Sequence, residues 1–528
     1  MRLGGHALVE QLSRYGVDLA FCVPGEIYLT VLDGLYAARD RIRLITARQE
    51  GGAAMMAAAY GKLTGRPGIC LVTRGPGATN ASGGVHVARQ DASPMVLLVG
   101  QVPTGVRGRR AFQEVDHRAM FGPLAKAVFV ADRVDRLPEL VARAMQTAVS
   151  GEPGPVVLEL PEDVLSATTS APVVPAAPPV VPAPAPADVD SFLRAMRAAA
   201  RPLLVVGGSG WTVASAADIQ RFAEVARVPI ATAVRNQDLV DNSSPAYVGT
   251  LGLNTTAGLA DAVAEADLIA LVGTRPDALT VDDFGLLEVP VPRQRLLHVH
   301  PDPDVLQQVY RADLAIVAGP APFAAALADA AVPASGAAPW LDRLRENYLR
   351  GPRPPESGVD PAPYLSALND RVPADAILSA GAGAYTAWPQ RYRRFTSYPS
   401  QLGTQSGTMG YGLPAAIAAQ LVHPDRVAVA FAGDGCFLMT GQELSTVTSY
   451  GLTPLVVVVN NAAYGTIRDH QTRRFPGREL GTDLVNPDFA AYARSFGVHG
   501  ERVRSPDEFA AALDRTLGAA GLIEIDVS

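Results

Sequence analysis

The stretches VAVAFAGDG (427–435) and PLVVVVNN (454–461) settle the fold class of this chain. Each is a short aliphatic run without alternation, closed by turn-forming residues. That is the pattern of a strand buried on both faces of a parallel sheet. A helical pattern lies between them. Two such strands end at one edge of the sheet, where open α/β sheets bind their ligands. The offset from Asp434 to Asn461 is 461 − 434 = 27 residues. Asp434 offers a carboxylate and Asn461 an amide oxygen. Both suit Mg²⁺, a hard ion that takes few protein oxygens and keeps phosphate and water in its shell. Gly433 and Gly435 let the backbone approach a phosphate, with the following amides aimed at it. A Gly-Asp-Gly alone is an ordinary turn; its weight comes from the second strand end.

Outward from this pair the same alternation recurs. IRLIT (42–46), ICLVT (69–73) and MVLLVG (95–100) read as buried strands, as do LLVVGG (203–208) and ADLIALVG (266–273). The 528 residues amount to three or four domains at ~150 residues each. Proline density in LSATTSAPVVPAAPPVVPAPAPADVD blocks helix and sheet pairing. The expected division is a domain over 1–164, a linker over 165–190, a middle domain over 191–335, a second linker over 336–362 and a C-terminal domain over 363–528. The expected fold class is α/β, with three open, mostly parallel sheets covered by helices.

Composition narrows the function. Apolar residues make up 48% and charged residues 18%, a globular balance. With 45 basic and 52 acidic residues the net charge is −7, which argues against a nucleic-acid binder. No apolar run approaches the ~18 residues of a membrane span. The N-terminus MRLGGHALVEQLSRYG has no apolar signal core, so a cytoplasmic protein is expected. Cys22, Cys70 and Cys436 have no metal-ligand spacing and fit buried thiols in a reducing compartment. Gly207, Gly208 and Gly210 follow a strand, but Val213 stands where a dinucleotide fingerprint wants its third glycine.

The C-terminal arrangement resembles the thiamine diphosphate signature, and the resemblance covers nearly the whole chain. It is most similar to the acetolactate synthase and pyruvate decarboxylase superfamily. GTMGYGLPAAIAAQL (407–421), CLVTRGPGATN (70–80), GQVP (100–103) and AFQEVD (111–116) carry the likeness. It implies a pyrimidine-binding domain, a middle domain and a diphosphate-binding domain in this order. It implies Asp434, Asn461 and the Ala463 carbonyl as metal ligands, and Gly433, Gly435 and Cys436 as the diphosphate loop. Met409 would prop the bent cofactor, the Gly407 carbonyl would accept its amino group, and Tyr385, Pro24 and Asn80 would be further contacts. Glu50, in RQEGGAAMMAAAYGKLTGRPG (48–68), resembles the glutamate that protonates the cofactor's far ring nitrogen. Without the resemblance it reads as a carboxylate favouring a helix start. Active sites shared between subunits follow, in a homodimer or homotetramer.

Several positions depart from the pattern. Glu26, in FCVPGEIYLTVLDGL (21–35), replaces the small residue of acetolactate synthases; pyruvate decarboxylases have an aspartate there that handles protons. Phe112 and Gln113 match acetolactate synthase positions near the substrate. Glu162 of Pro161-Glu162-Asp163 stands for a lysine, Leu279 in GTRPDAL (273–279) for an arginine, and His470 for a tryptophan. Ile467 stands for a decarboxylase glutamate. Arg275 and Asp277 keep half of a flavin pattern, while Leu279 and Leu253-Asn254 lose the other half, so FAD remains an open expectation. The expected activity is decarboxylation of a 2-oxo acid with transfer of the fragment to a carbonyl acceptor, with Glu50, Glu26 and Gln113 as catalytic candidates. A simple decarboxylase releasing an aldehyde is the alternative, and a non-catalytic binding protein a remote third.

Overall fold

The computed structural model describes residues 1–252, 255–328, 330, 337–352 and 358–528. Leu253-Asn254 and residues 353–357 of the second proline-rich stretch lie outside them. The expected class is borne out: three six-stranded sheets, each parallel throughout, each covered by helices.

In the first sheet the strands run Arg43–Thr46, Leu19–Cys22, Gly68–Val72, Met95–Gln101, Pro155–Pro161 and Ala127–Val130 from edge to edge. The third sheet repeats this order with Gln401–Leu402, Ile377–Ala380, Ala428–Gly433, Leu455–Asn460, Gly521–Asp526 and His499–Val503. In both, the chain reverses its direction of travel between the second and third strands in that order. The crevice there opens beyond the carboxyl ends of the strands, the usual ligand position in such sheets. It falls between Cys22 and Val72 in the first sheet and between Ala380 and Gly433 in the third. The middle sheet is ordered Tyr247–Thr250, Ile230–Thr232, Pro202–Val206, Leu268–Val272, Arg295–His300 and Leu314–Val317, so its crevice lies between Val206 and Val272.

The helix Glu50–Thr64 joins the outer domains. Its residues Gly51 to Gly61 are all buried. One side packs on the helix Gly75–Gln90 and another on Gly412–Val422 of the C-terminal domain. Alanine and glycine make this closeness feasible: a Cβ on Gly61 would lie 2.1 Å from the Pro94 carbonyl oxygen, and one on Gly84 would lie 2.4 Å from the Ala54 Cβ. Gln49 caps the helix by accepting from the Gly52 N–H at 3.1 Å, and Gly65 ends it at φ +67°.

The two expected linkers contain more than linker. Thr168–Thr169 pairs with Arg2–Leu3, and a helix already begins at Pro186. Between them residues 170–185 have neither helix nor strand, as proline dictates. They are nonetheless tied down: Gln11 bonds both to the N–H and to the carbonyl of Val174, and the Pro182 carbonyl accepts from Gly319. The second span holds the helix Ala338–Leu349, whose Trp340, Leu341 and Leu344 are buried against the middle domain. Pro339 occupies its first turn, where proline is tolerated, so proline content there did not mean linker.

Candidate active site

Gly433 and Val459 are register partners on neighbouring parallel strands, so Asp434 directly follows one strand end and Asn461 lies two residues past Val459 on the other. Asp434 is 3% exposed. Desolvation raises its pKa, opposed by the Gly435 N–H, the Asn486 amide and the Ala463 N–H. A divalent cation beside it would favour its charged form. Asn461 Oδ1 accepts from the Ala463 N–H at 3.2 Å. Ala463 bridges Asp483 through the carbonyls of Ala462 and Thr482, which leaves its own carbonyl out of that pairing. Asn460 is a framing residue instead, donating to Glu524 at 2.8 Å. The donor set of one carboxylate, one amide and one backbone carbonyl fits Mg²⁺. Among the described residues no group of three or more His, Cys, Asp or Glu side chains is placed to hold a metal.

Tyr385 and Cys436 face each other across the crevice of the same sheet. The Tyr385 hydroxyl donates to Cys436 Sγ at 3.1 Å and accepts from the Gly381 N–H at 3.1 Å. The Gly410 N–H donates to the same sulfur at 3.2 Å. Cys436 thus ties three segments together, a role not apparent from its sequence position. Burial pushes the Tyr385 phenol well above its ordinary pKa, so it stays a donor. A Cβ on Gly433 would lie 2.7 Å from the Tyr385 ring, and one on Gly435 would lie 2.6 Å from the Tyr464 ring. Gly407 is exposed with φ +60°, a left-handed position that favours glycine. Met409 is half-buried against the apolar cluster of this domain.

At the N-terminal domain, Glu50 opens its helix and Glu50 Oε2 accepts from Asn80 Nδ2 at 2.9 Å. A Cβ on Gly77 would lie 3.3 Å from Glu50 Oε1, so that oxygen is approached closely too. Pro24 is exposed in the loop that leads to Glu26, and Gly25 of that loop abuts Thr73 across the crevice. Glu26 is held by Arg74, at 2.9 Å. Arg74 also donates to the Phe112 carbonyl at 3.1 Å and covers the Phe112 ring. Gln113 has φ +64°, and its carbonyl accepts from the Gly75 N–H. Among the departures, Glu162 opens the short helix Glu162–Ser166, His470 is exposed beside Arg473, and Ile467 is exposed. No hydrogen bond or ion pair among the described residues joins Glu50 to Asp434.

Three neighbours escaped sequence reasoning. Glu443, fully buried, reaches from the C-terminal domain to accept from the N–H groups of Arg48 and Gln49. Asn486 donates to Asp434 at 2.7 Å and Asn460 at 2.9 Å. Neither stands in a stretch with any sequence signal. Arg74 did: it lies inside CLVTRGPGATN, two residues beyond a strand end.

Comparison with known proteins places this geometry in a class. Residues 2–120 match the thiamine pyrophosphate enzyme N-terminal TPP binding domain, 189–327 the central domain and 381–527 the C-terminal TPP binding domain. The protein is therefore a thiamine pyrophosphate (diphosphate) enzyme, and the non-catalytic alternative falls away. Its relatives include the acetolactate synthase large subunit of Parasynechococcus marenigrum, 35% identical over 98% of this chain and 85% of that protein. The acetolactate synthase isozyme 2 large subunit of Escherichia coli is 32% identical over 99% and 95%, and a probable acetolactate synthase large subunit of Methanocaldococcus jannaschii 30% identical over 96% and 88%. The chain belongs to the acetolactate synthase family of thiamine diphosphate-dependent carboligases.

Proposed function

We propose that this enzyme decarboxylates a 2-oxo acid and joins the fragment to a second carbonyl compound, using Mg²⁺ with thiamine diphosphate. The observation that carries the reading is the placement of Asp434 and Asn461 just past the ends of neighbouring parallel strands, beside a crevice where Tyr385 meets Cys436. Asp434, Asn461 and the Ala463 carbonyl would hold the metal, and the amides after Gly433 would face the diphosphate. Bound thiamine diphosphate supplies the electron sink for loss of CO₂. Glu50 would hold a proton on Oε1 for the cofactor's ring, its other oxygen being fixed by Asn80.

The active assembly in this reading is a homodimer or homotetramer in which Glu50 of one chain meets Asp434 of another. In its support, Glu50 is half-buried and Asn80 exposed, and Leu29 and Phe112 stand exposed near Glu26 and Arg74. A cytoplasmic setting accords with three free, buried thiols. Among the described residues no helix is long and apolar enough to cross a membrane.

Flavin is left out of the reading. A cavity of about 430 Å³ does lie at the middle crevice, lined by Gly208, Thr212, Arg275, Asp277 and His300. But Arg275 is engaged by Glu152 at 3.2 Å and by the Gln90 carbonyl, and Asp277 by the Thr280 N–H. Leu279 brings no charge. The residues of the flavin pattern that remain line this cavity with polar groups already engaged by the protein.

A second reading, aldehyde release, is favoured by the Glu26 carboxylate at the N-terminal crevice. The test is incubation with Mg²⁺, thiamine diphosphate and pyruvate, 2-oxobutanoate or phenylpyruvate, each alone and with benzaldehyde. CO₂ and a 2-hydroxyketone or 2-hydroxy-2-acyl acid are expected. Aldehyde alone would favour the second reading, and no CO₂ from any of them would sink both.

A further inference from the structure

Arg235 follows the middle-domain strand Ile230–Thr232 in a left-handed conformation, φ +65°. It is 7% exposed. Among the described residues no carboxylate lies within 4.0 Å of its guanidinium, and no hydrogen bond engages any of its nitrogens. Nε is buried with no partner at all. A buried charge without a counter-charge costs several kcal/mol, so a protein that keeps one has a use for it.

Its surroundings point to the catalytic crevice. The side chain crosses to the C-terminal domain and packs on Gly403, where a Cβ would lie 2.8 Å from Arg235 Cδ and 3.3 Å from Nη1. Gly403 begins the segment that leads to Gly407 and Met409. The preceding residue is clamped to this segment, since Gln405 Nε2 donates to the Val234 carbonyl at 2.8 Å. Asp91, the carboxylate whose field reaches Arg235, is already engaged: one oxygen accepts from the Gln405 N–H at 2.7 Å, the other from Lys62 at 3.2 Å. Burial pulls the guanidinium's pKa down, and the groups whose fields reach it are Tyr385, Asp91 and Cys436. Tyr385 and Cys436 are the pair that lines the crevice of the third sheet.

We propose that Arg235 is a substrate-binding residue that receives the carboxylate of the 2-oxo acid at this crevice. This rests on the reading given above. A planar fork of N–H donors matches a carboxylate, and the contact gains strength where water is excluded. A nucleotide phosphate in the middle-domain cavity is a poorer occupant, because Arg235 is not among the residues lining that cavity. The cofactor's diphosphate already has the candidate metal set of Asp434, Asn461 and Ala463.

The test uses the holoenzyme with Mg²⁺ and thiamine diphosphate. It is titrated with oxamate, an unreactive 2-oxo acid mimic, and with methyl oxamate, its uncharged ester. Wild type should prefer oxamate by about tenfold or more, the scale of a hydrogen-bonded charge pair. Arg235→Gln should erase the preference without weakening thiamine diphosphate binding. Its apparent Tm should be unchanged or higher, because no protein hydrogen bond is lost and an unpaired buried charge is removed. Arg235→Lys should keep part of the preference. Equal binding of acid and ester by wild type would overturn the proposal, as would an undiminished preference in Arg235→Gln. A drop in cofactor affinity in that variant would also overturn it, reassigning the charge to the diphosphate. Oxamate preference without CO₂ release from any 2-oxo acid would remove the decarboxylase reading and leave the carboxylate site standing.

Discussion

Arg74 Nη2 lies 2.9 Å from Glu26 Oε1, with the guanidinium side chain 10% exposed and the carboxylate side chain 73% exposed. The pair closes the crevice of the first sheet with its cation inward. Removing Glu26 therefore leaves a largely buried cation whose remaining partner is the Phe112 carbonyl. Glu26→Gly should draw an anionic second 2-oxo acid to that crevice. The ratio of aldehyde to 2-hydroxyketone-type product from one donor should fall several-fold at matched conversion. Arg74→Leu should do the reverse and raise KM for an acidic acceptor above that for benzaldehyde. Identical ratios in wild type and Glu26→Gly would reduce Glu26 to a loop residue.

Asp434→Ala removes the one charged group of the candidate metal set. Saturable, Mg²⁺-dependent binding of thiamine diphosphate should disappear, read by calorimetry. The fold should survive, because the lost acceptor leaves only local donors, the Asn486 amide among them, and Asn486 keeps its bond to Asn460. Wild-type affinity in the variant would refute the assignment.

Glu50→Gln is nearly isosteric and keeps the Asn80 contact available, yet it has no proton to give at Oε1. Cofactor binding should be largely retained, while deuterium exchange at the cofactor's thiazolium carbon should slow by orders of magnitude. An unchanged exchange rate would make Glu50 a helix-start residue only.

Asp238 gives a pH dependence. Its carboxylate accepts from the N–H groups of Ser400 and Gln401, at 2.7 and 2.9 Å, and so fastens the middle domain to the C-terminal one. Burial pushes its pKa up from 3.8 to about 6. The folded chain then holds this proton more tightly than the unfolded chain does. Stability is undiminished below about pH 4, is lost as pH rises toward 6, and is level above that, by up to roughly 3 kcal/mol. Asp238→Asn keeps an acceptor oxygen without the charge. Urea melts should show the variant gaining on wild type between about pH 4.5 and 6.5, and matching curves at all pH values would remove the effect.

Glu443→Ala should destabilise the protein by about 2–4 kcal/mol, because the N–H groups of Arg48 and Gln49 and the Thr446 hydroxyl lose a buried acceptor together. The start of the helix carrying Glu50 would loosen with it. Faster amide exchange confined to residues near 48–52 is the signature to look for, and unaltered protection there would argue that Gln49 alone suffices as cap.

Strands read from unbroken aliphatic runs were legible because burial on both faces leaves no other composition. The short strand Gln401–Leu402 was not, since two residues carry no period. Asp434 and Asn461 were legible because strand ends fix their position. Glu443, Asn486 and Arg235 act across domains or across loops, and a one-dimensional pattern holds no record of what packs against what. Proline misled at Pro339, where it opens a helix, and guided well over 170–185.

The helix Glu50–Thr64 lies in the N-terminal stretch of the chain but is walled in by both outer domains, down to glycines with no room for a methyl group. The three domains are therefore not interchangeable cassettes. A chain severed in the 170–185 strap would yield two fragments, each baring an alanine-rich face. Expressed apart they should aggregate, and expressed together they should find each other. The chain can be split for complementation but not shortened.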